Sequence, residues 1–260
     1  MELKENERID DLELNNLKII QNKNGFCFGM DSVLLSDFAK NVKSNAKVID
    51  LGTGTGILPI LLSAKTKVSK IVGIEIQKEV ANMASRSVLL NNLHDKIEIV
   101  CEDIKNLKNL YETNFFDAVV TNPPYKTKGT GGINEVEAKL ISRHEITANL
   151  EDFISISSYL LKDQSSIYMV HRPERLVDIL SLLRKYKLEP KESKLVQPSC
   201  DKAPNLVLIK ATKNAKPFLK FRENLYIYDN EGEYTEEIYK IYNKNHVKNL
   251  GNDSNICEKQ

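Results

Sequence analysis

From residue 46 to residue 187 the chain alternates short apolar runs with longer amphipathic ones, and no other feature restricts its fold as strongly. "AKVIDLG" (46–52), "KIVGIEI" (70–76), "KIEIVCED" (96–103), "FFDAVVTNPP" (115–124) and "SSIYMVH" (165–171) read as strands. "GILPILLSAK" (56–65), "KEVANMASRSVLLNNL" (78–93), "LEDFISISSYLLK" (150–162) and "RLVDILSLLRKYK" (175–187) read as helices. Pro59 falls in the first helical turn, where a missing N–H costs nothing. Strands separated by helices pair in parallel, and the helices cover both faces of the sheet. "SKLVQPS" (193–199) and "PNLVLIKATK" (204–213) follow one another without a helix, which predicts an antiparallel pair at one edge. The expected fold is α/β: a Rossmann-like, seven-stranded, mostly parallel sheet with helices on both faces and the last strand antiparallel. Ligands meet such sheets at the carboxyl ends of the strands, where the strand order reverses. The residues just after Ile49, Ile74, Val100 and Val120 are therefore the ones to inspect.

Both ends of the chain lie outside this alternation. "LKIIQNKNGFCFGM" (17–30) reads as two short strands around the turn residues Asn22 to Gly25, and "DSVLLSDFAK" (31–40) as a helix capped by Asp31 or Ser32. Residues 126–147 hold Gly129, Gly131 and Gly132 without strong periodicity and read as a mobile loop able to cover a site. "ENLYIYDNEGEYTEEIYKIYN" (223–243) reads as a short strand, a turn and a tyrosine-rich helix, followed by a polar tail. The expected organisation is an extension over 1–45, a main domain over 46–213 and an appendage over 214–260.

Composition excludes several classes. The net charge is +1, so any nucleic-acid partner must be met by a local patch. The four cysteines, Cys27, Cys101, Cys200 and Cys257, form no C-x-x-C pair, and with four histidines available neither a zinc site nor a disulfide framework is expected. Cys101 lies in an apolar run and reads as a small buried side chain. The charged start "MELKENERIDD" has no apolar signal core, and no run is long and apolar enough for a membrane span. A monomer in the cytoplasm is the expectation.

"VIDLGTGTGILPI" places Gly52, Gly54 and Gly56 between a strand and a helix, with Asp50 at the strand's end. Glycines let the backbone turn tightly and lie against a ligand. A dinucleotide site has G-x-G-x-x-G and seats a pyrophosphate on the helix N-terminus. Here the spacing is D-x-G-x-G-x-G, and Asp50 would repel a pyrophosphate. A ligand with an ammonium group and no phosphate suits the loop, and S-adenosylmethionine fits that description. Glu75 ends the next strand, 23 residues after Gly52, at the distance where an acid accepts hydrogen bonds from ribose hydroxyls. Asp103 follows the third strand; its carboxylate suits an adenine amino group, and equally the cap of a following helix.

The fourth strand ends in Asn122, Pro123, Pro124 and Tyr125. Prolines stop a strand because they cannot donate to its ladder. The exocyclic amine of adenine is a poor nucleophile, since its lone pair is delocalised into the ring. Two acceptors gripping its N–H groups draw the nitrogen towards sp³, and Asn122 Oδ1 with the Pro123 carbonyl can supply them. Proline holds that carbonyl in one direction. The Tyr125 ring offers a stacking face to a planar base. Acceptors set for charge that develops on nitrogen act in the transition state.

Together these residues resemble the class I S-adenosylmethionine-dependent methyltransferases, in the branch that carries N-P-P-Y, over about residues 17–212. The resemblance implies that Asp50, Gly52, Gly54 and Gly56 hold the methionine end of the cofactor, Glu75 its ribose and Asp103 its adenine. It makes Asn122, Pro123 and Tyr125 catalytic, with Asn122 also bordering the cofactor. "GFCFGMDSVLLSDFA" (25–39), "VHRPERLVDIL" (170–180) and "DKAPNLVLIKATK" (201–213) are similar to the bacterial enzymes that N6-methylate the adenine beside the anticodon of a valine tRNA. In that group the segment before the first sheet strand closes over the cofactor, which implies Phe26, Met30 and Asp31 near the methionine end and Arg172 and Arg175 near phosphate. Residues 126–132 match that group least.

Local charge bears on the substrate. Residues 162–220 carry 13 Lys and Arg against 6 Asp and Glu, and Lys126, Lys128, Arg143 and His144 add to the mouth of the site. Such residues give salt-sensitive affinity for a nucleic-acid backbone. The reading is N6-methylation of a tRNA adenine, with no metal. Methylation of another planar amine, such as a release-factor glutamine or an rRNA base, and non-catalytic RNA binding are the alternatives. About 45 residues before the first sheet strand are too few for the helical substrate domain usual in the glutamine methylases.

Overall fold

The computed structural model describes residues 3–23, 29–125 and 148–243. Its elements run β1 (Glu7–Asp11), β2 (Lys18–Asn22), α1 (Met30–Phe38), β3 (Lys47–Leu51), α2 (Ile57–Lys65), β4 (Lys70–Glu75), α3 (Lys78–Leu90), β5 (Ile97–Cys101), α4 (Leu107–Leu110) and β6 (Phe116–Thr121). After residue 147 come α5 (Leu150–Leu160), β7 (Leu161–His171), α6 (Leu176–Lys185), β8 (Leu188–Gln197), β9 (Leu206–Lys213), β10 (Lys220–Phe221), β11 (Leu225–Tyr226) and α7 (Glu236–Ile241).

The main sheet has the order β10-β8-β9-β7-β6-β3-β4-β5, with β11 also on β8. Seven of these strands lie between residues 47 and 213, and only β9 is antiparallel to its neighbours. β8 and β9 form the expected antiparallel pair, but β9 slots between β7 and β8, so β8 is the outer of the two. The two-residue strands β10 and β11 extend that edge in parallel with β8. The order reverses at β3, which pairs with β4 on one side and β6 on the other. Leu51 is in register with both Ile74 and Thr121, and the Thr121 hydroxyl donates to the Leu51 carbonyl at 2.8 Å. The ends of β3 and β6 are thereby locked side by side.

Successive strand residues serve opposite cores, as the period of two requires. Val48, Ile71, Ala118, Val120 and Val170 pack with α1, α2 and α3, while Ile49, Val72, Val119 and Met169 pack with α5 and α6. Gly73 allows β4 to pass close to the glycine loop. A Cβ there would meet Thr53 Oγ1 at 2.8 Å and Ile99 Cδ1 at 2.9 Å.

The N-terminal strands differ from expectation. β2 pairs antiparallel with Glu7–Asp11, a stretch whose charges conceal a strand, and Phe26 lies outside the described residues. This hairpin is stitched to α3: the Ile20 N–H donates to Ser87 Oγ, the Lys18 N–H to Asn91 Oδ1, and Arg86 forks onto the buried Glu7 carboxylate. The C-terminal helix α7 packs on α1, and Lys65 Nζ donates to the Ile241 carbonyl at 2.9 Å. Cys101 is exposed rather than buried, because β5 is the sheet's edge strand. Among the described residues no helix is long and apolar enough to cross a membrane.

Arg86 holds the Glu7 carboxyl below its usual range, against the opposing effect of burial. A depressed folded-state pKa contributes stability above the unfolded value and loses it as pH falls through the folded one. Glu7→Gln should cost about 1.5–3 kcal/mol at neutral pH, the range for hydrogen bonds to charged groups. In urea titrations the gap to the wild type should close as pH falls below about 4.5, the ordinary glutamate value. A gap that stays constant with pH would contradict the assignment.

Candidate active site

The glycine loop begins where β3 stops. Gly52, Gly54 and Gly56 all adopt positive φ, at 74°, 58° and 87°, so each needs the freedom of glycine. Gly56 also faces Ala84, whose Cβ would lie 3.2 Å from a Cβ at 56, and this close approach seats α2 against α3. Beside Gly54 the space is open to 4 Å, which leaves the loop backbone accessible on that side.

Two carboxylates flank the loop. Asp50 is fully buried, and neither of its side-chain oxygens has a partner among the described residues. Burial pushes its carboxyl up to about 7; the nearby Thr53 hydroxyl opposes the rise and the Glu75 charge adds to it. A buried carboxylate without a partner is costly, so this one is built for a cationic or hydrogen-donating group. Glu75 is used differently. Its Oε2 accepts the Gly54 N–H at 3.0 Å and its Oε1 accepts the Gln77 N–H at 2.9 Å. The loop thus fixes the carboxylate at the end of β4. Asp103 lies two residues beyond β5, whose Cys101 is in register with Glu75. Its Oδ1 accepts the Lys105 N–H at 2.9 Å and caps the short helical turn at Ile104–Asn106. The capping role is therefore present.

Asn122 follows Thr121 at the end of β6, beside the start of the glycine loop. Its Nδ2 donates to Asp31 Oδ2 at 2.8 Å, and the Tyr125 hydroxyl donates to the same oxygen at 2.8 Å. A carboxylate only accepts, so the amide must turn its N–H end to Asp31. Oδ1 is left as the acceptor end. Asp31 sits in the first turn of α1, and its other oxygen accepts the Ser32 N–H. A Cβ on Gly29 would lie 2.9 Å from Asp31 Oδ1, so the approach to α1 is shaped for this carboxylate. Met30, half-buried, packs on the adjoining core.

Tyr125 is held on several sides. Burial and the Asp31 carboxylate push its phenol up, so it stays a protonated donor. The Arg172 guanidinium lies 5.1 Å above its ring, and the His171 ring meets it edge-on with centroids 5.1 Å apart. His171 is buried and pushed down to about 4, hence neutral at pH 7. Its Nδ1 accepts the Arg172 N–H, which places its proton on Nε2. Arg172 also donates to the Asn205 carbonyl at 3.1 Å, and Arg175 pairs with Asp178 at 2.7 Å.

The structure thus gathers Asp50, Gly52, Gly54, Gly56, Glu75, Asn122, Pro123, Tyr125, Asp31 and Arg172 around the ends of β3, β4, β6 and β7, with Asp103 at the neighbouring strand end. Lys126, Lys128, Arg143 and His144 lie outside the described residues, as does the glycine-rich loop read between 126 and 147. Gly73 and His171 carry no local signal that sets them apart; their roles depend on neighbours distant in sequence. Among the described residues no group of three His, Cys, Asp or Glu side chains is placed to hold a metal.

Comparisons with known proteins bear on the family and the fold. Residues 17–172 match the family model described as the methyltransferase small domain. The chain is 27% identical over 220 residues to the tRNA1(Val) (adenine(37)-N6)-methyltransferase of Porphyromonas gingivalis, covering 82% of this chain and 86% of that protein. It is 27% identical to the protein of the same name from Pasteurella multocida, covering 79% and 84%. In fold it is similar to a predicted O-methyltransferase from Agrobacterium tumefaciens, with a TM-score of 0.67 at 21% identity over 84% of this chain and all of that one. A 16S rRNA N2 G1207 methyltransferase from T. thermophilus, in complex with AdoMet and guanosine, gives 0.57 at 18% identity over 82% and 52%.

Asp50 yields a test that needs no substrate. A folded-state pKa raised to about 7 means that the site stabilises the neutral acid, and that stability is lost as pH rises from the unfolded value near 4 through 7. In the cofactor-free protein Asp50→Asn should melt close to the wild type at pH 5 and higher by several degrees, on the order of 5 °C, at pH 8. An equal difference at both pH values would contradict an unpaired carboxylate.

Proposed function

The chain belongs to the methyltransferase small domain family, and from that premise we propose that it transfers a methyl group from S-adenosylmethionine to N6 of an adenine in tRNA, beside the anticodon of a valine tRNA. One observation carries the reading: the Asn122 amide is turned by Asp31 so that its oxygen is the acceptor at the reversal point of the sheet. The names of the curated relatives support the choice of tRNA.

The residues present fit the cofactor. Asp50 offers a buried, unpartnered carboxylate of the kind an ammonium group satisfies. Gly52, Gly54 and Gly56 bring backbone to the ligand, the Glu75 carboxylate meets the ribose hydroxyls, and the Asp103 carboxylate meets the adenine amino group. Met30, at the start of α1, borders the methionine end; the same role is proposed for Phe26, which lies outside the described residues. S-adenosylmethionine, when bound, supplies an electrophilic methyl group on a sulfonium.

The protein's task is then positioning and electrostatics. Asn122 Oδ1 and the Pro123 carbonyl accept the two N–H groups of N6 and free its lone pair to form the new C–N bond. The nitrogen would become cationic on taking the methyl group that the cofactor would supply. The two oxygens stabilise that charge until one proton passes to water. Neither acceptor is a base, and none is needed, because the amine becomes acidic only after attack. Asp31 is a positioning residue here: it holds the amide in one orientation and anchors the Tyr125 phenol while that ring supports the base. Lys126, Lys128, Arg143 and Arg172 meet phosphates.

The test separates binding from chemistry. Asn122→Ala should lower kcat on unmodified tRNA by about 10²–10³-fold, the range for one lost transition-state hydrogen-bond partner, with cofactor affinity retained in calorimetry. Asp31→Asn should lower kcat in the same direction, because an amide at 31 no longer forces the N–H end of Asn122 towards it. If Asp31→Asn weakens the cofactor but keeps full kcat at saturation, Asp31 binds the ammonium group instead. Label from the methyl group appearing in a release factor and not in tRNA would contradict the substrate.

A further inference from the structure

Away from the site, "KPFLKFR" (216–222) carries exposed rings and lysines that neither the fold nor the reaction uses. Phe218 and Phe221 are 82% and 66% exposed, and Lys216, Lys220 and Arg222 between and beside them are exposed as well. No acidic residue interrupts residues 214–222. A single exposed apolar residue needs no explanation. Two phenylalanines within four positions, set among cations, do. Phe218 also adopts φ 96°, a left-handed backbone that is an outlier for a bulky side chain. Such strain persists only where neighbours hold it. Here Lys191 Nζ donates to the carbonyls of Lys216 and Pro217, at 2.9 and 3.1 Å, and so grips the turn just before the strained residue.

The sheet register places this turn relative to the active site. Phe221 is paired with Ser193, Ser193 with Ile209, Ile209 with Met169, and Met169 with Thr121, the residue before Asn122. Phe221 therefore lies on the same row of the sheet as the end of β6, displaced sideways by the steps β6-β7-β9-β8-β10. At ~4.8 Å per strand this is about 19 Å. That distance is within the span of a folded RNA arm whose reacting base sits at Asn122. Between the two points, the guanidinium of Arg172 adds positive charge on the same rim.

We infer that residues 216–222 are a stacking platform for unpaired RNA bases, with Phe218 and Phe221 as its faces and Lys216 and Lys220 as its phosphate contacts, while Arg222 is held by Glu192 at 2.7 Å. This rests on the reading of the substrate as RNA. Aromatic rings stack on any base, and flanking cations track the backbone. An apolar protein partner would leave the Lys216 and Lys220 charges to be neutralised. A second copy of this chain would set Lys216 and Lys220 against their like, since residues 214–222 carry no acid. The platform makes the substrate a base within a structured arm that contacts the sheet at two separated points, and distinguishes it from a free nucleoside or a short single strand.

The experiment measures RNA affinity of the full chain by filter binding, using an unmodified valine tRNA transcript and its isolated anticodon arm. Base–aromatic stacking is worth about 1–3 kcal/mol per base, or roughly 5–150-fold in Kd. The Phe218→Ala, Phe221→Ala double variant should lose about 10–100-fold for the full tRNA, within that range. Its cofactor affinity and circular dichroism should match the wild type. The Phe218→Trp, Phe221→Trp variant should restore binding, because stacking and not phenylalanine as such is required. Unchanged RNA affinity in the alanine variant, with methyl transfer to tRNA intact in the wild type, overturns the platform and leaves the reaction standing. Tight, aromatic-dependent RNA binding by a wild type that methylates no RNA does the reverse. Sedimentation showing a wild-type dimer that the alanine variant dissolves, with RNA affinity unaltered, assigns the patch to a second copy and also overturns it.

Discussion

β3 is hydrogen-bonded on both sides to parallel strands whose connections leave in opposite directions, and this double pairing is the constraint on which the molecule turns. A crevice opens where two such connections diverge. Register decides what lines it. With Leu51 opposite both Ile74 and Thr121, the chain emerging from β3 must lie between Glu75 and Asn122. Gly52, Gly54 and Gly56 let the backbone turn there, and Gly73 removes the side chain that would collide with Thr53 beneath the turn. A slip of one residue would exchange the two cores and turn Asp50 away.

On this frame a second constraint is laid by a carboxylate from outside the sheet. Asp31 collects the Asn122 amide and the Tyr125 phenol on one oxygen, and so joins α1 to the end of β6. The helix is in turn packed between α2 and the C-terminal α7. Segments at both ends of the chain therefore bear on the orientation of one amide. This accounts for appendages on a sheet that could fold without them: their packing contributes to the rigidity of an acceptor, which must not swing when charge develops opposite it.

The architecture was legible because it rests on local patterns. Period-two and period-3.6 runs marked strands and helices, the prolines after Thr121 marked the end of β6, and the glycine spacing marked the loop. What escaped reading depends on partners far apart in sequence. Glu7–Asp11 reads as part of a charged start and not as a strand, because the Arg86 that neutralises Glu7 lies seventy-nine positions away. Cys101 sits in an apolar run yet is exposed, since nothing local tells an edge strand from a central one. β9 inserts between β7 and β8 although the order of a hairpin's two strands in a sheet leaves no mark on their composition. Asp31 was legible as a candidate, but not as the residue that orients Asn122, because that bond spans ninety-one positions. Gly73 and Phe218 are ordinary letters until a neighbour's position or a backbone angle gives them meaning.

The central claim concerns the direction of one amide and the object it faces. A crystal structure of the chain with S-adenosylhomocysteine and an unmodified valine tRNA anticodon arm tests it directly. The account predicts an adenine turned out of its stack, with N6 within hydrogen-bond distance of Asn122 Oδ1 and of the Pro123 carbonyl while Asp31 still accepts from Asn122 Nδ2. An amide reversed towards the base, or an adenine whose N6 points away from both oxygens, would contradict it.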